Sequence, residues 1–397
     1  MPDDGPEMTV EVAERLADVP GAQWDACAGA DNPFVSYAFL SCLEDSGCVA
    51  PATGWAARHV VIKDEAGDVL ACAPTYLKGH SMGEYVFDWG WAEALERAGG
   101  KYYPKLLCAV PFTPAAGPRL LVRSDLPGGL KTQLKRQLAS ALAGLVQGAS
   151  LSSAHVNFLD DDDAQVLHEA GFMARVGLQY HWKNNNYQCF DDFLDDLTSR
   201  KRKALKKERR QVAESGLVIE HLSGDAITTA HWDAMYAFYM DTGSRKWGRP
   251  YLNRDFFRLL GERLGDKVLL ITAKREGAKR EGAIIAGALN LIGADALYGR
   301  YWGCNEDVPH LHFELCYHQA IEAAIARGLA RVEAGAQGEH KIARGYLPTY
   351  TRSAHFINDA GLRDAVAGFC AGERRAIEEE YAILREESPY RQKDGAR

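Results

Sequence analysis

A chain of 397 residues, 47% apolar and 25% charged, is too long for one ordinary core and too evenly balanced to be disordered or fibrous, so two lobes of about 150–200 residues are expected. Forty-six Lys and Arg against 54 Asp and Glu leave a net charge of −8, which excludes a protein that coats nucleic acid over its whole surface but not a local basic patch. The acidic opening MPDDGPEMTVEVAERLADVPG has no apolar stretch behind a basic start and no later run approaches about eighteen apolar residues, so a cytoplasmic protein is expected, at most touching the inner face of the membrane. Nine scattered cysteines without a CxxC pair read as reduced core thiols.

In chain order, residues 36–43 read as an apolar helix, followed by the strand RHVVIKD, a turn at 65–68 and the returning strand VLACAPTYLKG. PKLLCAVPFTPAAGPRLLV reads as extended. An amphipathic helix from about 129 to 146 then crosses over to the alternating strand SSAHVNFL. The order recurs in the second half: the helix NRDFFRLLGERLG, the strand VLLITAKR, a glycine-containing turn at 276–282, the strand AIIAGALNLIG and then ADALYGRYWGC. A helix from about 311 to 327, closed by Gly328, leads to the strand LARVEAG.

Antiparallel strands followed by a helical crossover, seen twice, predict a mixed α/β protein of two tandem lobes, each a mostly antiparallel sheet flanked by helices. The acetyltransferase (GNAT-like) fold has this order. The lobes are expected at 1–180 and 181–397, the second opening with a basic helical segment at about 198–214.

Several phrases carry a resemblance: NPFVSYAFL, YLKGHSMGEYVFDW, YYPKLLCAVPFTP, HWKNNNY, SRKRKALKKERR, RKWGRPYL, LYGRYWG and EAGAQGEHKIARGYLPT. Spread over nearly the whole chain, they resemble the Fem-like (FemAB-like) branch of the GNAT-fold N-acyltransferases, associated with peptidoglycan biosynthesis or recognition. The resemblance implies two packed acetyltransferase-type lobes in a bacterial cell-envelope transferase; more distant Fem-type enzymes take amino acids from transfer RNA to build peptide crossbridges. One departure stands out. Acetyl-coenzyme A enzymes place a Q/R-x-x-G-x-G/A turn after the fourth strand, whereas residues 305–310 here read NEDVPH. In the first lobe residues 124–129 read SDLPGG, where Asp125 would repel phosphate, so an ordinary acetyl-coenzyme A site is not expected.

Eight of the eleven residues from Arg200 to Arg210 are basic, and helical spacing puts Arg200, Lys203, Lys207 and Arg210 on one face, which either tracks phosphates or is a solvated surface. Glu333, Glu339 and His340 crowd a glycine-rich turn leaving a buried strand, and an amine needs such a base to become a nucleophile. Lys341 and Arg344 would counter an anionic donor, and Gly335 and Gly338 would let backbone amides approach a reacting carbonyl. The alternative is a strand end whose charges form surface salt links. Candidate substrate contacts are Arg300 on the strand ADALYGRYWGC, His155 with Asn157 on one strand face, His181 beside Gln179 on another, and Arg245 and Trp247 in a loop; each also reads as ordinary packing. Aromatic residues at 84–91 and 298–302 would line an acyl tunnel or form core. Glu314 and His318 share a helix face, but without HExxH no metal is expected.

With no nucleophile elbow, direct transfer without a covalent enzyme intermediate is the simplest chemistry. The expectation is an N-acyl- or aminoacyltransferase with no tightly bound cofactor, using aminoacyl-tRNA, acyl-coenzyme A or acyl carrier protein as donor and an amine of cell-envelope or lipid type as acceptor. Fatty-acyl transfer to an amino lipid and non-catalytic binding of peptidoglycan fragments or an anionic surface stand as alternatives.

Overall fold

A computed structural model describes residues 8–245, 250–275, 283–335 and 338–391. The chain divides into one unit running to Gly177 and including Tyr350–Ile377, and a second formed by Leu178–Thr349 with the residues from Glu378 onward. It passes between them inside strands Met173–Lys183 and Leu347–Ile357 and inside helix Ala360–Glu386. Residues 350–377 therefore interrupt the second lobe expected over 181–397: they return to the first unit, where His355 pairs with His155 on the neighbouring strand.

In the first unit, Pro74 separates Val69–Ala73 from Thr75–Lys78. Proline cannot donate to a strand ladder. The apolar run VLACAPTYLKG thus becomes two strands, the earlier pairing with His59–Lys63 and Leu121–Val122, the later with Trp55–Ala57 and Lys105–Cys108, all antiparallel. Helix Gly128–Gly148 buries Leu134, Leu138, Leu142 and Val146, an i, i+4 stripe that packs on Val60, Ile62, Leu106 and Val156. It carries the chain from Lys105–Cys108 to the parallel strand Ser153–Leu159. That strand is buried at all seven positions. Its alternation thus separates two covered faces, with Ala154 and Val156 towards the helix and Ser153, His155 and Asn157 towards a polar cluster.

In the second unit, Leu217–Leu222, Val268–Arg275, Ile284–Ile292 and Ala296–Cys304 form an antiparallel meander. Between its last two strands Leu289 faces Tyr301 and Asn290 faces Gly299, so Arg300 is the extra residue of a β-bulge, a feature that re-aims a side chain. The helical crossover expected over 311–327 consists of Leu311–Phe313, a π-helical turn Glu314–His318 and Gln319–Ala326, ended by Gly328 at φ +65°. It leads into Arg331–Glu333, parallel to Ala296–Cys304 and antiparallel to Met173–Lys183. A parallel strand pair bridged by a helix thus recurs in both units. The hairpin turn expected at 276–282 lies outside the described residues.

The nine cysteines are free; Cys189 is exposed, against the expectation of an all-buried set.

Candidate active site

Parallel pairing of Arg331–Glu333 with Ala296–Cys304 ends at Tyr298 opposite Glu333, and Gly335, at φ +76°, turns the chain away. Glu333 is the last paired residue, 4% exposed. Its Oε1 accepts from Arg331 Nε at 3.0 Å, while Oε2 has no hydrogen-bond partner and lies 3.8 Å from His181 Nε2. His181 hydrogen-bonds Gln179 Oε1 at 3.1 Å across one strand turn. Burial lowers its basicity, against the pull of Glu333 and with the help of Arg331 and Lys341, so the ring is neutral at pH 7.

The short helix Glu339–Arg344 brings three more groups together. The buried Lys341 ammonium donates to the Gly335 carbonyl at 2.9 Å, and burial brings its pKa down to about 8. Arg344 donates to Glu208 Oε1 and Oε2 at 2.7 and 3.2 Å and to the His340 carbonyl at 2.9 Å, with its guanidinium 3.4 Å from the Phe313 ring centre. His340 is exposed and shares a 3.0 Å hydrogen bond with the Tyr317 hydroxyl. Partial burial first, then the charges of Arg344 and Lys341, lower its pKa and keep it unprotonated at neutral pH.

The π turn supplies two partners of this cluster. Tyr317 meets His340, and His318 Nε2 lies 3.3 Å from Glu208 Oε2. One-turn π segments recur at functional sites because the wider turn offsets the side chains that follow. On helix Ser199–Ala213 the expected stripe Arg200, Lys203, Lys207 and Arg210 is exposed. The opposite face, Leu205, Glu208, Arg209 and Val212 at i, i+3, i+4 and i+7, turns inward. Arg209 joins Glu314 and Glu322 at 3.1 and 2.9 Å and borders a cleft of about 780 Å³ with Phe190, Lys206, Arg210 and Glu314.

Of the residues singled out from sequence, Glu333 and His181 therefore meet at the strand end, while His340, Lys341 and Arg344 sit on the short helix that follows it, with Lys341 tied back to the Gly335 carbonyl. Arg300 occupies the bulge and lies 3.5 Å from the Tyr301 hydroxyl. His155 and Asn157 belong to the first unit's buried cluster. The side chains of Glu339 and Arg245, and all of Trp247, lie outside the described residues. Glu208, Tyr317 and Arg331 were missed, the one signal being Glu208, a lone acid within the basic run RKRKALKKERR; His318 was noted only as sharing a helix face with Glu314.

Duplicated parallel pairs bridged by helices, with ionisable groups at the end of the second unit's parallel strand, define a mixed α/β protein of two tandem lobes. The chain belongs to the FemAB-like family, described as peptidoglycan biosynthesis/recognition, whose model matches residues 15–392. Solved structures share the fold at low identity. FemX aligns at TM-score 0.54 and 12% identity, covering 88% of this chain and 98% of its own. The C-terminal domain assigned to a lysylphosphatidylglycerol synthetase from Agrobacterium fabrum gives 0.51 and 11%, covering 90% and 97%. L-PGS from Bacillus licheniformis gives 0.50 and 11%, covering 91% and 98%. No curated protein sequence matches the chain.

Proposed function

We propose that this protein transfers an acyl or aminoacyl group from an activated, phosphate-bearing donor to an amine, with the reaction centre in the second unit. The observation that carries the reading is the Glu333 carboxylate, buried at a strand end with one oxygen unpartnered. Such an oxygen is placed to take a proton from an ammonium or from an attacking amine. The amine nitrogen bonds to the donor carbonyl carbon, its proton passes to Glu333, and the ester or thioester bond breaks to release the donor as an alcohol or thiol that recovers a proton. His340, unprotonated and steadied by Tyr317, is the second group able to carry that proton. Lys341 and Arg344 face the charge of the donor or of the developing oxyanion.

The FemAB-like family and the FemX fold favour aminoacyl-tRNA as donor and a cell-envelope amine as acceptor. Acyl-coenzyme A and acyl carrier protein fit the same carbonyl chemistry. Among the described residues no helix is long and apolar enough to cross a membrane. An aminoacyl-tRNA donor would place the reaction in the cytoplasm. The deciding experiment offers the purified protein labelled aminoacyl-tRNA, acyl-coenzyme A or acyl carrier protein together with amine-bearing envelope precursors or lipids. Label appearing in an amide product supports the reading, and its absence with every donor overturns it.

Two smaller predictions belong here. Activity follows a bell with pH, falling on the acid side as His340 takes up a proton and on the alkaline side near pH 8 as Lys341 loses its charge; a Lys341→Arg variant moves the alkaline limb upward in a pH–rate profile. Changing Lys203, Lys207 and Arg210 together to Gln leaves the melting temperature unchanged, because all three are exposed, and lowers the slope of log affinity for tRNA against log salt by about 2 to 3. Filter binding across a salt series reads the slope, and an unchanged slope removes this helix face from the donor site.

A further inference from the structure

The first unit contains a second polar cluster that the transfer chemistry does not use. Strand pairing sets Trp55 beside Lys78 and Lys78 beside Lys105, so two lysines stand directly opposite one another on one face of a sheet. Both are 0% exposed. Like charges opposite one another in adjacent strands repel, and buried ammonium groups need counter-charge, so this face demands an anion. It comes from the loop 79–88. Glu84 Oε2 accepts from Lys105 Nζ at 2.8 Å and its Oε1 lies 3.8 Å from Lys78 Nζ; Asp88 pairs with Lys105 and accepts from Tyr102 at 2.7 Å.

The two carboxylates are not held alike. Each leaves one oxygen without a hydrogen bond, but Asp88 Oδ2 is bound by both Lys105 and Tyr102 and flanked by His155, whereas Glu84 has Lys105 alone and Lys78 Nζ settles for the Met82 carbonyl at 3.3 Å, His80 Nδ1 at 3.4 Å and the Trp55 ring at 3.6 Å. Asn157, two residues beyond His155 on the same strand face, is 1% exposed with neither amide atom partnered. The loop is also inside out for a surface segment: Ser81, Glu84 and Asp88 are buried while Met82, Phe87 and Trp89 are 48%, 51% and 54% exposed.

We propose that this face of the first unit is an oxyanion-binding site, in which Lys78 and Lys105 receive the phosphate or carboxylate of a ligand and Glu84 is the internal carboxylate that occupies it in the closed form. Entry requires the Gly79–Tyr85 part of the loop to lift while Asp88 stays on Lys105. Binding strengthens as pH falls. Burial foremost, with Asp88 adding, raises Glu84 to about 7, and burial lowers Lys78 to about 7, so acidification discharges the resident anion and charges the free cation. Of the other groups around the site, Lys105 stays charged and Asp88 ionised, Tyr102 and Tyr103 keep their protons, His155 at about 3 and His355, which burial holds well below its ordinary value, remain neutral, and His80 is held below its ordinary value.

The site is independent of the transfer reading, and its test needs no turnover. Calorimetric titration of the full chain with inorganic phosphate and with acetate, at constant ionic strength in chloride, compares wild type, Glu84→Gln and Glu84→Gln/Lys78→Met. One anion per chain is expected, bound at least tenfold tighter by Glu84→Gln than by wild type, tighter by wild type near pH 6 than near pH 8, and lost in the double variant. Preference for phosphate assigns a phosphoryl ligand and preference for acetate a carboxylate. Absence of saturable binding by folded Glu84→Gln, or binding that survives Lys78→Met, overturns the proposal. Should Glu84→Gln not fold, hydrogen exchange of the wild-type amides over 79–88 decides: phosphate or acetate must change their protection, and identical exchange with and without both anions overturns it.

Discussion

Glu333→Gln lowers the rate of transfer by about 100-fold or more, within the range that loss of a positioned general base produces, while the protein melts within a few degrees of wild type. The carboxamide keeps the shape and one oxygen to accept from Arg331 Nε, but cannot take the amine's proton. The fold is spared because Oε2 makes no hydrogen bond that the change would remove. Removing the negative charge does weaken the attraction to Arg331; that guanidinium keeps Asp295 as a partner, so the cost is expected to be about 1 kcal/mol or less. Steady-state rates at saturating acceptor separate the outcomes: a fall in kcat with little change in KM marks a group acting in the transition state. A variant that keeps wild-type kcat removes Glu333 from the chemistry and leaves His340 as the base.

Glu208→Ala is expected to cost about 3–5 kcal/mol in denaturant unfolding, the penalty for stripping a buried cation of its partner. Arg344 is buried and Glu208 is its sole described ion pair; losing it leaves the guanidinium only the His340 carbonyl and the Phe313 ring. His318 on the π turn loses its described partner with the same substitution. Burial works against ionisation of Glu208, but the His318 hydrogen bond and the Arg344 charge outweigh it, leaving its pKa below the ordinary 4.5. The sign follows: the carboxylate's contribution is complete above about pH 4.5 and is lost as pH falls through the lower folded-state value. Urea unfolding near pH 7 and pH 4 should therefore show the gap between wild type and Glu208→Ala closing in acid. An exposed change on the same helix, Lys203→Gln, should stay within about 0.5 kcal/mol. If both variants behave alike, Glu208 does not tie the helix to the site.

Much of the fold was legible because the signals are local. Leu134, Leu138, Leu142 and Val146 repeat every four residues and declare the crossover helix, and VLLITAKR and AIIAGALNLIG declare strands. Pro74 marks a break within one apolar run, although not that its halves serve different pairings. In the candidate site, crowding of ionisable residues around the glycine-rich turn brought Glu333, His340, Lys341 and Arg344 into view. Their pairing stayed hidden, because Glu208 lies 136 residues from Arg344, and neither a lone acid in a basic run nor a histidine on a helix face says which residue it will meet.

The aromatic stretch 84–91 shows the limit more sharply. Read locally it suggested an acyl tunnel or core; in the structure Trp91 is buried, Phe87 and Trp89 are exposed, and Glu84 and Asp88 lie inside against two lysines. Lys78 and Lys105 carry no sequence sign of burial, since each ends or begins an ordinary strand. By itself the sequence determined the elements, their duplicated order and the exposed basic stripe, because periodicity and turn chemistry act over a few residues. Only the tertiary structure decided which charges are buried and which partner each has, and that Tyr350–Ile377 returns to the first unit. Burying a charge is tolerable only when a counter-charge arrives from elsewhere in the chain, and that pairing exists only once strands and loops have met.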